Sequence, residues 1–145
     1  MTEIKMGGRT IPLLFTTFEM IAIQQEIGCT ASELREKVFG IVEDEENPDE
    51  FKITIANDPA KIKKLGTLIR ILGNAGLEEK ELDPFLTDKW ILRKMKPGYI
   101  IGYAIAAMSE IIDGLAMESP SFAEQESGPV DEVLEEQNEK KEPGN

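Results

Sequence analysis

Catalysis and metal binding need particular side chains at particular spacings, and this 145-residue sequence offers few of them. It has no histidine, which removes the commonest general base and the commonest metal ligand. The one cysteine, Cys29, directly follows Gly28. A single thiol makes neither an internal disulfide nor a Cys-based zinc site, and Cys29 reads as a plain buried side chain. Gly7-Gly8 is followed by no GK[ST], and no helix opens on it, so it is not a phosphate loop. Glu43, Asp44, Glu45 and Glu46 lack the alternate-position spacing and the glycine of a calcium loop, and read as a solvated acidic loop. With no constellation to assign, the chain is expected to be neither an enzyme nor a holder of a metal or cofactor.

What such a chain offers instead is surface. The composition is 41% apolar, enough for a core, with a net charge of −12. That balance argues against nucleic acid as a partner, because phosphate binding needs clustered Lys and Arg. No signal peptide is visible at Met1–Lys5, and no apolar run reaches the ~18–20 residues of a membrane span. The expectation is a soluble protein of the cytoplasm.

The charge is uneven. From Glu118 to Asn145 there are nine acids against Lys140 and Lys141, a net −7 that leaves −5 on residues 1–117. Only Phe122, Ala123, Val130, Val133 and Leu134 are apolar there. They bury too little to offset an ordering cost of ~1–2 kcal/mol per residue. Two regions are therefore expected, a folded unit over 1–117 and a disordered acidic tail over 118–145.

The elements of the folded unit carry their own punctuation. Gly7-Gly8 between two apolar-alternating runs predicts a hairpin pairing Ile4 with Ile11 and Met6 with Arg9. Ile4, Met6, Ile11 and Leu13 then share one face, Lys5 and Thr10 the other, and Pro12 makes the second strand an edge. Thr16 or Thr17 caps a helix that Gly28 ends. Its inward set is either Phe18, Ile21, Ala22 and Gln25 or Met20, Ile23 and Ile27. Ser32 opens a short helix with Leu34, Val38 and Phe39 on its apolar side. Lys52–Ala56 alternates like a strand but could equally be irregular chain leading to Asp58.

The central element is the stretch Asp58–Leu77. Asp58 is placed as N-cap and Pro59 at the first helical position, and Ile62, Leu65, Leu68, Ile69, Leu72 and Ala75 form a continuous stripe. Gly76 is expected in the left-handed C′ position, with Leu77 folding back on Leu72. Thr87 caps a further helix with Trp90, Ile91 and Met95 inward. Pro97 opens the last one, whose apolar face is Ile101, Ala104, Ile105, Met108, Ile111, Ile112 and Leu115. Gly98, Gly102 and Ala106 on another side read as a strip for tight packing in the core. The fold class is mainly α, an N-terminal β-hairpin packed on a small bundle of four to five helices.

The order of these elements carries a resemblance. A hairpin running into a helix, then ELREKVFGI (Glu33–Ile41) and an acidic loop, then LIRILGNAGLEEKEL (Leu68–Leu82) ahead of a Trp helix, an apolar helix and an acidic tail, resembles the tail assembly chaperones of long-tailed bacteriophages. The similarity covers about residues 3 to 117, with NAGLE at Asn74–Glu78 as its most recognisable phrase. The resemblance implies the shorter of two products, a helical protein that coats the tape measure protein during tail assembly and is absent from the finished virion. It also implies a longer form of the same chain, made by ribosomal frameshifting, that recruits the tail tube protein. Self-association is left open. The expected partner-binding residues are Trp90, Met95, Met108, Ile112 and Met117, because Met-rich helical faces make adaptable grooves for an apolar helix. A small acidic adaptor or regulator binding one basic or apolar protein is the alternative, with a DNA mimic behind it.

The resemblance places the frameshift near the end of the chain. Glu139-Lys140-Lys141 can be encoded GAA-AAA-AAG or GAA-AAA-AAA, a run on which two tRNAs re-pair after slipping one base. The other reading of those residues is an ordinary lysine pair in an acidic tail.

Overall fold

The computed structural model describes residues 1–116. It is mainly helical, with an N-terminal two-stranded antiparallel hairpin and, among the described residues, five α-helices. Strand β1 (Thr2–Met6) pairs with β2 (Arg9–Leu13) in the expected register, Ile4 opposite Ile11 and Met6 opposite Arg9. Gly7 and Gly8 sit at φ 60° and 76°, as a two-residue turn of this hand requires. Ile4, Met6, Ile11 and Leu13 are all buried.

Helix α1 (Thr17–Glu26) starts at Thr16, where Glu19 completes a capping box. It ends on Gly28, at φ 81° with its N–H on the Gln24 carbonyl. Of the two stripes the sequence leaves open, Ile23 is buried with Met20 and Ile27 packed beside it, whereas Phe18 and Ile21 face outward. Cys29 is buried, as expected. The next helical stretch begins one residue before Ser32: Thr30 caps a 3-10 turn over Ala31–Glu33 that runs into α2 (Leu34–Lys37), with Glu33 accepting from the Thr30 N–H at 2.8 Å. Leu34, Val38 and Phe39 are buried.

A second hairpin follows that the sequence only half announces. Strands β3 (Ile41–Glu43) and β4 (Phe51–Ile53) are antiparallel, with the acidic loop as their connection. The strand expected over Lys52–Ala56 therefore starts one residue earlier and stops at Ile53, where a 3-10 turn over Ile55–Asn57 takes over.

Helix α3 (Pro59–Glu79) is the element on which the core is assembled. Asp58 caps it by accepting from the N–H groups of Ala60 and Lys61. Leu65, Leu68, Ile69 and Leu72 are fully buried, and Ile71, Ala75 and Leu77 nearly so. Its end is not at Gly76. The helix continues to Glu79, and the left-handed residue is Glu81 at φ 59°. The Leu82 N–H bonds to the Leu77 carbonyl at 2.8 Å and that of Glu81 to Glu78 at 2.9 Å, so the Schellman pairing is present, five residues further on than expected.

Gly76 has a different task, close approach. The outer edge of β2 lies along α3, with the Leu14 N–H donating to the Leu72 carbonyl at 3.0 Å. A methyl on Gly76 would fall inside the Pro12 carbonyl oxygen and 2.5 Å from its carbon. Pro12 faces the helix without an N–H to strand. Asn74 pins the following loop, its amide donating to the Leu86 carbonyl at 3.2 Å and accepting from the Leu86 N–H at 3.0 Å.

Thr87 caps α4 (Asp88–Lys94), with its hydroxyl accepting from the Trp90 N–H. Arg70 of α3 ties this region together, bonding Asp88 at 2.6 Å and pairing with Glu26 of α1. A 3-10 turn opened by Pro97 leads into α5 (Ile100–Leu115).

The backbone N–H of Lys61 holds the Asp58 carboxyl below its ordinary value of 3.8. A lowered folded-state pKa contributes stability above the unfolded value and loses it as pH falls through the folded one. Melting curves between about pH 5 and pH 3 should therefore show part of the acid loss vanish in Asp58→Asn, since Asn caps a helix without titrating. An unchanged pH dependence would mean that the cap carries none of it.

Candidate functional site

Helix α5 leaves the longest apolar strip uncovered, Ile101, Ile105, Ile112 and Leu115, against Phe18 and Ile21 on α1. The inner face of α5 lies along β1, with Ile100, Ala104, Ala107 and Ile111 in the core. Two polar ties fix it there: the Tyr103 hydroxyl donates to the Lys5 carbonyl at 2.7 Å, and the Thr2 N–H donates to buried Glu110 at 2.8 Å. Near its end Gly114 lets the Phe15 backbone come close, since a Cβ there would be 2.8 Å from the Phe15 carbonyl oxygen.

The apolar face expected from sequence divides in two. Of Ile101, Ala104, Ile105, Met108, Ile111, Ile112 and Leu115, only Ala104 and Ile111 are buried. Ile101, Ile105 and Ile112 are 40%, 48% and 60% exposed, and Met108 is half-buried between them. The physical reason is that α5 is apolar on most of its circumference, whereas the hairpin edge covers one side only. Intervals of four, three and four along Ile101, Ile105, Met108 and Ile112 are those of a coiled-coil seam. Contrary to the expectation that no run reaches membrane-span length, Pro97–Leu115 is long and apolar enough to cross a membrane, but buried Glu110 and the two ties to β1 belong to a docked helix.

The small residues correct a second expectation. Gly98 and Gly102 do not pack into the core, because a Cβ at either would meet nothing within 4 Å. Ala106 is half-buried. Gly102 and Ala106 line a groove of about 380 Å³ beside Ile4, Tyr99 and Tyr103. An exposed helical glycine costs ~0.5–1 kcal/mol relative to alanine, with no packing inside this molecule to offset it. Gly102→Ala should thus raise the stability of the isolated protein by about that amount, ~0.5–1 kcal/mol in urea melts. A destabilised variant would mean that Gly102 is needed internally.

The expected partner-binding residues do not converge. Met108 and Ile112 lie on the outer side of α5. Met95 is 6% exposed and belongs to the core, so it is not offered to a partner in this state. Trp90 lies on α4, half-buried, in a separate cleft of about 370 Å³ with Thr87, Lys89, Arg93 and Lys94. Met117, Glu139, Lys140, Lys141 and the acidic tail lie outside the described residues. Sequence reading turned Ile101 and Ile105 inward and overlooked the four bases of Lys89–Lys96. The alternating interval of four and three was the available signal for the first, the run of cations without an acid for the second. Comparison with protein-family models, characterised proteins and solved structures finds no match to this chain.

Proposed function

We propose that this chain is a helix-binding assembly chaperone of the phage-tail kind, covering an apolar helical segment of a tape measure protein with the outer face of α5. The observation that carries the reading is the exposed seam Ile101, Ile105, Met108 and Ile112 on a helix whose other side is fixed to the hairpin. An amphipathic helix laid on such a seam buries apolar side chains on both partners at coiled-coil spacing. Two copies of this chain would repel one another, each carrying −12 overall and −5 on residues 1–117. An apolar helix with basic flanks is therefore the better occupant than a second copy.

In this reading the protein acts in the bacterial cytoplasm and is left behind when the tail is complete. A longer frameshifted form of the same chain links the complex to the tail tube protein. The gene tests that part: a GAG codon before Lys140, or no overlapping frame beyond Asn145, rules out slippage at Glu139-Lys140-Lys141.

Co-expression tests the chaperone role. The chain should keep a fragment of the tape measure protein soluble, and the complex should survive ~0.5 M salt, where the Debye length is a few Å. Ile105→Asp, at an exposed position that leaves the core intact, should abolish the solubilisation. A fragment equally soluble with Ile105→Asp contradicts the reading. Loss of the wild-type complex at that salt favours an electrostatic adaptor.

A further inference from the structure

The cleft over Trp90 is set apart from α5 in chemistry as well as position. Lys89, Arg93, Lys94 and Lys96 fall within eight residues of a chain with twelve more acids than bases. The one acid of α4, Asp88, is already bound by Arg70 and by the Thr67 hydroxyl at 2.7 Å. Among the described residues, none of the four cations forms an ion pair. The floor that Lys89, Arg93 and Lys94 surround is preorganised. Phe85 meets the Trp90 ring edge-on at 5.1 Å, and Arg9 stacks over Phe85 at 4.1 Å. Gly7 leaves room for the Lys94 stem and the Trp90 ring, both within 3.2 Å of where its Cβ would stand. Lys94 Nζ thus stays 6.0 Å from the Trp90 centroid. Lys89 and Arg93 are four residues apart, as are Trp90 and Lys94, so the helix presents two adjacent rows.

We propose that this cleft is a docking site for a short acidic segment of a partner protein, its carboxylates on Lys89 and Arg93 and an apolar side chain on the Trp90–Lys94 row. Arg presents a planar fork suited to carboxylate, and a half-buried indole supplies area at little entropic cost. Charge complementarity favours a short segment over nucleic acid. A long polyanion would be repelled by the chain's net −12, to which the exposed Glu78, Glu79, Glu81 and Asp83 just ahead of α4 contribute. A short carboxylate motif stays within the cations.

Trp90 is the only tryptophan, so its emission reports directly on the cleft of the full chain. Titration with a synthetic Asp/Glu-rich peptide bearing one central Phe should shift that emission saturably. The double variant Lys89→Glu, Arg93→Glu should weaken the peptide roughly tenfold or more, and salt should weaken it steadily. Both variant positions are exposed, and an unchanged melting temperature would exclude misfolding as the cause. Equal affinity in the double variant overturns the proposal, as does a single-stranded oligonucleotide that binds more tightly than the peptide. A peptide-free spectrum that moves with added salt would also overturn it, by assigning the cleft to the chain's own acids.

Discussion

Gly76→Ala should be among the most damaging single substitutions in this protein, although the same change in an exposed helix stabilises. Gly76 is inside α3 with ordinary helical backbone, so propensity alone favours alanine by ~0.5–1 kcal/mol. Packing decides the sign. The added methyl would lie 2.5 Å from the Pro12 carbonyl carbon and 3.1 Å from its Cβ, and neither belongs to a flexible side chain that could swing away. Relief requires β2 to move off α3, which would stretch the bond from Leu14 to the Leu72 carbonyl. Overpacking typically costs ~1–3 kcal/mol and more where backbone must move. The expectation is ~3 kcal/mol or more, a fall in melting temperature of roughly 10 °C. Gly102→Ala is the matched control with the opposite sign. A neutral Gly76→Ala would mean that the strand and helix are further apart than described.

Leu72→Ala is the second. Leu72 is fully buried, one turn before Gly76 on the same side of α3. It lies among the side chains that the hairpin and the helices contribute to one core. Removing its branch leaves a cavity between elements already fixed by backbone contacts, so little collapse can fill it. The cost should be ~2–5 kcal/mol, read from the midpoint of urea unfolding at unchanged slope. A loss below about 1 kcal/mol would show a core that can collapse around the gap.

These two positions also show what the sequence could and could not reveal. Asp58, Pro59 and Thr87 announce helix starts because capping depends on local chemistry, and Gly7-Gly8 set the hairpin register for the same reason. Gly76 was misread because a glycine that ends a helix and one that admits a neighbouring strand look alike until Pro12 is brought against it. In the second hairpin alternation registered only around β4, because strands of three residues are too short to carry more of it. Helix α1 carries apolar residues on both candidate stripes, so only tertiary packing could choose Ile23 over Phe18 and Ile21.

The candidate site was least legible, for a related reason. Periodicity identifies a helix with an apolar side, but α5 is apolar on nearly every side. The covered half is fixed by where β1 ends up and by the ties from Thr2 and Lys5. Met108 and Ile112, expected at a partner surface, lie on the outer side of α5 beside Ile101 and Ile105, which were expected inward. Met95 went to the core, and Trp90 to a cleft of different chemistry.

Hydrogen exchange of the full chain, alone and bound to an apolar helical fragment of the tape measure protein, tests the central claim most directly. Amides within Ile100–Leu115 should become markedly slower to exchange on binding, while those of the already protected α3 change little. If the fragment binds and α5 exchanges as before, with protection appearing elsewhere, the outer face of α5 is not the site and the account fails.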